Sequence, residues 1–475
     1  MAKSRTKRGF SIAGSLLLGL FALVVISLIA LGVPRIAAGM AAKGVCSAAF
    51  VAGRPWPNLL AEDVVPANRA LVLIGISVGE EDKTVTARFA GLFARQARLL
   101  PNRGCVLDVD SAEPHAPAAD TVADTGRQWP QGDAPLALAE WGAGVDANAL
   151  QNIVQDAFVG AGDVQAANAR GIAIVHKGRL LVLRTAPGFD ASTPLHGWSM
   201  TKTVLGMLTY KLAAESGLSH DTPVVDAFPK LREPGWVAAW RGDARKNIKV
   251  SDLLYMRDGL ANTEDYDPWG SVPKMLWGQA DAAAFAATSP AEATPGQRWR
   301  YMSQTANLLS AVARSRLPSD AEYWAYPSKA LFAPIGAKTA VLETDAAGNW
   351  VGSSYLWASV GDWARFGQLM LADGRWGNQQ VLPPGWLKFA STRSTAQGEG
   401  RGYGAHSWLI GDPNEGNCKG YGLPLDTIAM SGHLGQVVAM VPSRDAVIVR
   451  LGWTFKREQF DSCAFVAAAL KTLPN

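Results

Sequence analysis

The feature that most restricts this chain is a run without a charge from Ser11 to Pro34, SIAGSLLLGLFALVVISLIALGVP. At about 1.5 Å per residue a helix of that length reaches roughly 35 Å, enough to cross a hydrocarbon core of about 30 Å. Lys3, Arg5, Lys7 and Arg8 precede it, which predicts a cytoplasmic N-terminus and export of everything after Arg35. Small residues in IAAG and AGMAAKG offer the competing reading of a cleaved signal peptide. The run exceeds the usual apolar region of about 7 to 15 residues, which favours an uncleaved anchor. Cys46 lacks the small residue expected before a lipidated cysteine, since it follows Lys43-Gly44-Val45. The expectation is a single-pass protein of the inner membrane, with its C-terminal domains in the periplasm or outside the cell.

Export makes the four cysteines legible, because disulfides persist outside the cytosol. They fall into an N-terminal pair, Cys46 and Cys105, and a C-terminal pair, Cys418 and Cys463. Pairing within each half is expected, with buried free thiols as the alternative. Loops of about 45 to 60 residues, so closed, stabilise by roughly 4 kcal/mol each in the chain-entropy model. A formal net charge of +4 over 475 residues gives no field that gathers nucleic acid, so nucleic acid is not an expected partner. No two of the six histidines and four cysteines stand at zinc-ligand spacing, and no metal or other cofactor is expected.

With 48% of its residues apolar, a chain of this length forms more than one folded unit. Residues 1–35 read as basic tip and transmembrane anchor, 36–165 as a small N-terminal domain with a linker, and 166–475 as the main domain. In the N-terminal domain the run ALVLIGISV (70–78) reads as a strand, followed by the turn GEEDKT. The stretch SAEPHAPAADTVADTGRQWPQGDAP reads as an exposed linker. Asp108 and Asp110 read as a solvated strand end, and any partner of this domain is unknown. From Arg170, GIAIVHKGRLLVLRT is a hairpin turning at His176–Arg179.

The stretch HGWSMTKTV (196–204) then opens a helix whose apolar residues Val204, Leu205, Leu208 and Leu212 recur at helical spacing until Gly217. Ser199 and Lys202 are three apart, so the amine can approach the hydroxyl on one face. A serine needs a neighbour to take its proton, and a lysine desolvated or set near another cation has its pKa lowered enough to do so. The unpaired N–H of Ser199 at a helix start can also face a developing oxyanion. Taken alone, the pattern is most often a helix cap.

Five further segments stand beside SMTK: SDLLYMRDGL (251–260), TPGQRWRYMSQTANLLS (294–310), ASVGDWARFGQLMLADGRW (358–376), GYGAHSW (402–408) and SGHLGQVVAMVPSRDAVIVRLG (431–452). In this order they resemble the penicillin-recognising serine hydrolases, which include class C β-lactamases, D-alanyl-D-alanine carboxypeptidases, esterases of β-lactamase fold and 6-aminohexanoate-dimer hydrolase. The resemblance runs from about Gly171 to the C-terminus. It implies an α/β fold of the β-lactamase/transpeptidase type: an antiparallel sheet flanked by helices, with an inserted helical subdomain. Here it is preceded by the small N-terminal domain and the transmembrane helix.

The resemblance puts Ser199 in the place of the acylated serine, Lys202 in that of its lysine, and Tyr301 in that of the tyrosine that protonates the leaving group. Ser303 stands where class C β-lactamases carry asparagine, and His433 where β-lactamases and carboxypeptidases carry lysine. Both are expected to contact substrate, and Gln436 N–H to be the second oxyanion donor. Asp258 and Asp265 are candidates for the pocket edge, and Trp198, Tyr355 and Trp357 for its walls. Asp362, Arg365 and Asp373 read as the charged outer face of a packed helix. The implied activity is hydrolysis of a small-molecule ester or amide through a serine acyl-enzyme. The alternatives are a cell-wall D,D-carboxypeptidase or β-lactamase, and, in another class, a catalytically idle envelope binding or sensor protein.

Overall fold

A computed structural model describes residues 17–18, 20, 22–23, 26–108, 126–159, 167–396, 402–412 and 418–474. Much of the apolar run from Ser11, Asp110 and most of the loose stretch lie outside them. Among the described residues no helix is long and apolar enough to cross a membrane. Those of the run that are described are helical up to Ala30, and the chain then turns at Leu31 and Gly32.

Helix α1 (Val33–Cys46) begins after that turn, with Gly32 left-handed at φ 73° and Pro34 in its first turn. It packs on a four-stranded antiparallel sheet in sequential order, β1 (Ile74–Gly79), β2 (Thr84–Phe89), β3 (Phe93–Leu100) and β4 (Gly104–Leu107). The expected strand over 70–78 starts only at Ile74, because Arg69–Leu73 form a 3-10 turn opened by Asn68, whose side chain accepts from Ala70 N. Cys46 and Cys105 form a disulfide that ties α1 to β4.

The main sheet has six antiparallel strands. β5 (Ala169–His176) and β6 (Arg179–Thr185) form the expected hairpin, with Lys177 and Gly178 both at positive φ as a tight primed turn requires. β12 (Trp408–Leu409), β13 (Ile428–Gly432), β14 (Gln436–Val441) and β15 (Ala446–Gly452) complete the order β12-β13-β14-β15-β5-β6. Two smaller sheets, β7 (Leu195–His196), β8 (Val341–Leu342) and β9 (Leu356–Ala358), and the ribbon β10 (Arg375–Trp376) and β11 (Gln379–Gln380), lie in the insertion.

Every residue of β5, β14 and β15 is buried, because both faces of the sheet are covered. Val175, Val438, Val447 and Val449 point into the core shared with the inserted helices, and Ile174, Ala439, Val441 and Ile448 into a second core. This alternation follows from the period of two along a strand. The second core is closed by α2 (Ala147–Ala157) and the C-terminal helix Ser462–Lys471, which a Cys418–Cys463 disulfide holds to the connection between β12 and β13.

Packing of the main domain therefore begins well before residue 166. Leu150 and Val154 of α2 lie in its core, and Trp129, within the stretch read as linker, is buried against it. Arg365 anchors that segment by donating to Gly132 O (2.8 Å) and Asp133 (2.6 Å).

The N-terminal unit is seated on the main domain by buried polar groups. Lys43 of α1 pairs with Glu343 at 2.8 Å, both nearly inaccessible. Glu343 also accepts from Ser47 Oγ (2.9 Å), Cys105 N (2.7 Å) and Trp357 Nε1 (3.3 Å). Asp63 binds Arg54 and Arg170, the latter on β5. Burial pushes the Asp63 carboxyl up, and the two guanidiniums outweigh it and hold its pKa below the usual value.

Candidate active site

The nucleophile turn is built where β7 runs out. Gly197 N donates to Leu356 O (2.9 Å), and Trp198 is left-handed, at φ 49°. A non-glycine residue there costs on the order of 1–3 kcal/mol and persists only where its surroundings hold it. Here Thr201 Oγ1 donates to Trp198 O (2.6 Å) and accepts from Leu356 N (3.0 Å). Gly197 has no space for a side chain: a methyl would collide with the Trp363 ring. Ser199 follows, half-buried, in the 3-10 turn Trp198–Met200 that leads into helix α3 (Thr201–Ser216). The apolar spacing suggested a one-faced helix, whereas Thr201–Thr209 are buried on all sides, as the central helix of a core is.

Lys202, in the first turn of α3, is fully buried. Its amine lies 2.9 Å from Ser199 Oγ, 3.1 Å from Ser303 Oγ and 3.0 Å from Ser353 O, and 4.8 Å from the centre of the Tyr301 ring. Burial lowers its pKa to about 8, against the opposing pull of Glu264. Desolvation alone activates the amine, and no second cation contributes.

Tyr301 stands just before helix α4 (Ser303–Ser315), walled by Tyr403 and Trp408 at ring distances of 5.8 and 5.0 Å. Its pKa is raised, first by burial and then by Glu264, while a hydrogen bond with Ser199 acts the other way. At neutral pH it is therefore a phenol and a proton donor. Ser303 is buried at the start of α4, and its N–H and Oγ donate to the two oxygens of Glu264 at 2.6 and 2.7 Å. A carboxylate at a helix N-terminus is favourably placed. The cluster is thus Ser199–Lys202–Ser303–Glu264, with Tyr301 on the serine.

Glu264 and the Ser353 carbonyl were not legible in the sequence. Glu264 lies in the irregular loop NTEDYDPWG, and no spacing links it to Ser303, which is 39 positions away. An acidic residue set among aromatics in a loop otherwise without chemistry was the only signal.

His433 opens the turn His433–Gly435 between β13 and β14. Its ring stacks on Tyr266 (5.0 Å, 5°) and meets Trp198 edge-on (5.2 Å). Enclosure by these rings lowers its pKa, while one edge stays open to solvent and limits the effect. A neutral imidazole here supplies no fixed positive charge. Gln436 is buried, and its side chain is spent on structure: Nε2 donates to His433 O (3.1 Å), and Oε1 accepts from Gly452 N (2.9 Å). The strand comes closest to the serine turn at Gly432, where a methyl would collide with Gly197 O. The side chain of Gln436 is therefore not available to substrate, and only its backbone N–H is left for the expected oxyanion role.

Beside the serine turn lies an aromatic cavity of about 310 Å³. Trp198, Tyr355 and Trp357 line it, as do His433 and Tyr266; Ser199, Lys202 and Tyr301 do not, and Trp198, the residue before the serine, is the link between cavity and nucleophile. His196 stacks on Trp357 (4.7 Å, 6°) and bonds Ser354 O through Nε2 (2.8 Å); burial lowers its pKa to about 3, so it is neutral. The opposite wall is supplied by the N-terminal unit, including Met40 and Gly44 of α1.

Other acidic candidates are structural. Asp258 is buried, accepting from Thr305 Oγ1 (2.5 Å) and Leu260 N (2.9 Å), with its pKa raised by burial to about 6. Asp265 accepts from Asp267 N (2.8 Å) within its loop. Asp362 and Arg365 do not form an outer face: both are buried, with Asp362 accepting from Thr339 N (2.8 Å). Asp373 receives Gly385 N and Leu387 N, each at 2.8 Å, and Asp108 pairs with Arg95.

A serine hydrogen-bonded to a buried lysine, with a tyrosine over that lysine, set between a covered antiparallel sheet and inserted helices, defines a serine hydrolase. The chain belongs to the Beta-lactamase family, whose pattern it matches over residues 154–470. It is similar in fold to a putative 6-aminohexanoate-dimer hydrolase from Bacillus anthracis (18% identity, TM-score 0.52, 69% of this chain and 83% of that one). It is likewise similar to EstCE1, described as a hydrolase with promiscuous acyltransferase activity (15%, 0.52, 69% and 97%). A penicillin-binding protein homologue from Caulobacter crescentus is a third such structure (17%, 0.50, 69% and 97%). No curated protein matches the sequence.

Proposed function

We propose that this protein is a membrane-anchored, exported serine hydrolase that cleaves an ester or amide through an acyl-enzyme on Ser199. The observation that carries the reading is the buried Lys202 amine, 2.9 Å from Ser199 Oγ with a pKa near 8. A substantial neutral fraction is then present near physiological pH to take the serine proton. Ser199 attacks the carbonyl, Lys202 receives the proton, and the Tyr301 hydroxyl gives its proton to the departing alkoxide or amine and is reprotonated by the Lys202 ammonium, which returns both groups to their starting forms. Water then releases the acyl group by the reverse relay. The Ser199 N–H faces the oxyanion, with the Gln436 N–H at the start of β14 as second donor.

The neutral His433 and the absence of asparagine at Ser303 favour esters or linear amides over β-lactams and cell-wall peptides, whose carboxylate needs a cation. The basic flank and apolar run from Ser11 to Pro34, with two disulfides, support an anchor in the inner membrane and a periplasmic or extracellular catalytic domain.

The test is a fluorophosphonate probe together with a panel of 4-nitrophenyl esters, linear amides and nitrocefin. Wild type is expected to be labelled and to turn over esters or amides well ahead of nitrocefin, and Ser199→Ala to do neither. Labelling that persists in Ser199→Ala refutes the nucleophile, and nitrocefin turnover matching the esters restores the β-lactamase reading.

A further inference from the structure

The aromatic cavity beside Ser199 does not end at its own walls. At Met40, Ala67, Tyr266 and Trp277 it adjoins a second, larger hollow of about 550 Å³, since these four residues line both. The second hollow is a surface groove floored by Leu71, Phe89 and Phe93 and edged by Trp269, and none of its lining residues is charged.

Leu28 and Ile29, from the end of the apolar run, form one rim of this groove. Around it stand apolar side chains turned to solvent: Leu92 is 78% exposed and Val72 68%, and Leu73 and Trp269 are also exposed. Arg35 and Arg69 are exposed beside it, placed to meet acidic lipid headgroups. An apolar face of this kind is costly in water and marks contact with a partner or a membrane. The face that opens into the groove is thus the one from which the anchor leaves the fold.

Tyr266 joins the groove to the chemistry. Its ring lines both hollows and stacks on His433, while its hydroxyl lies 3.4 Å from the Glu264 carboxylate that holds Ser303. The groove and the cavity adjoin at these residues, so that mainly apolar walls extend from the Leu28–Ile29 rim to Trp198, the residue preceding the nucleophile.

We infer that the substrate is an amphiphile drawn from the lipid bilayer: an ester or amide whose long acyl chain slides through the groove into the aromatic cavity and so sets its carbonyl against Ser199. This rests on the serine-hydrolase reading above and adds the class of acyl group and the route it takes. The N-terminal unit, which contributes Met40 and Ala67, is then part of the substrate site, and the leaving group exits towards water.

The experiment uses the full chain in vesicles of phosphatidylethanolamine and phosphatidylglycerol, with 4-nitrophenyl acetate in solution and 4-nitrophenyl palmitate carried in the bilayer. Acetate hydrolysis that disappears in Ser199→Ala secures the underlying reading, and its failure sinks that reading independently of the route. Given that activity, palmitate is expected to be preferred by at least about tenfold, as burial of an apolar chain implies. Ala67→Trp, at an exposed position where the two hollows meet, should lower the palmitate-to-acetate ratio of kcat/KM by about tenfold or more. Ala70→Trp in the outer groove should act in the same sense if the first variant is poorly folded. The pair Val72→Glu and Leu73→Glu should depress palmitate turnover in vesicles while leaving acetate turnover in place. The inference is overturned if wild type shows no preference for the long chain, or if neither tryptophan changes the ratio. It is equally overturned if the face proves to be a dimer contact, split by Val72→Glu and Leu73→Glu with palmitate turnover unaltered.

Discussion

Lys202 and Glu264 work against each other through one serine. Burial drives the amine towards neutrality, and the carboxylate pulls its pKa back up. Since the neutral amine is the base, kcat/KM should rise with pH and level off above about 8. Glu264→Gln removes the opposing pull, so the rising limb should move to lower pH. The plateau should fall by roughly tenfold, because the two donors of Ser303, its N–H and Oγ, are left with one acceptor oxygen instead of two, an effect within the range of general acid–base positioning. A pH–rate profile decides it, and a limb that stays put or moves up would exclude Glu264 from the electrostatics of the base. Ser199 with Lys202 and Tyr301 with Ser303 could be read from short local patterns, because each pair lies at or just before a helix start with its members three and two residues apart. Glu264 could not, since its role arises only when a loop folds over α4. The engagement of the Gln436 side chain with His433 O and Gly452 N was equally hidden, because Gly452 lies on the neighbouring stretch of β15 and not in the motif.

The serine turn is the element on which the site depends, and it tolerates little change. Gly197 is needed for space and not for conformation, because its φ of −82° is open to any residue while the Trp363 ring occupies the place of a side chain. Gly197→Val should destabilise the fold by roughly 1–3 kcal/mol and lower kcat more than it raises KM, as Ser199 is displaced from Lys202. Thermal unfolding read alongside steady-state kinetics checks both parts, and a variant with wild-type kcat would show that the turn is not a positioning device. The hairpin at Lys177–Gly178 and the main strands were readable from period-two patterns and turn residues. The first strand was misplaced because apolar content alone does not separate a strand from a 3-10 turn opened by an asparagine cap. The burial of Asp362 and Arg365 was hidden for a related reason: their partners, Thr339 and Asp133, are remote in sequence.

Across the whole molecule, the N-terminal unit and the main domain share two buried ion pairs, Lys43–Glu343 and Asp63–Arg170, of which the first is the simpler to test. Glu343→Ala leaves the Lys43 ammonium without its partner and should cost about 3–5 kcal/mol, whereas Lys43→Met combined with Glu343→Leu should cost much less. Chemical denaturation of the three proteins tests this, and equal losses in the single and double variants would show that the pair does not hold the unit in place. The family pattern starts at residue 154, so nothing in it foretold that α1 would wall the cavity. Composition marked 36–165 as a separate domain, yet the contacts that seat it are isolated polar residues that no sequence periodicity reveals.

The helix carrying Met40 and Gly44 ends at Cys46, whose sulfur is bonded to Cys105. A chain still in a reducing compartment therefore holds its nucleophile and base, both in the main domain, before the far wall of its pocket is stapled. A reductant should therefore loosen that wall, and blur the choice of substrate, before it touches Ser199 or Lys202.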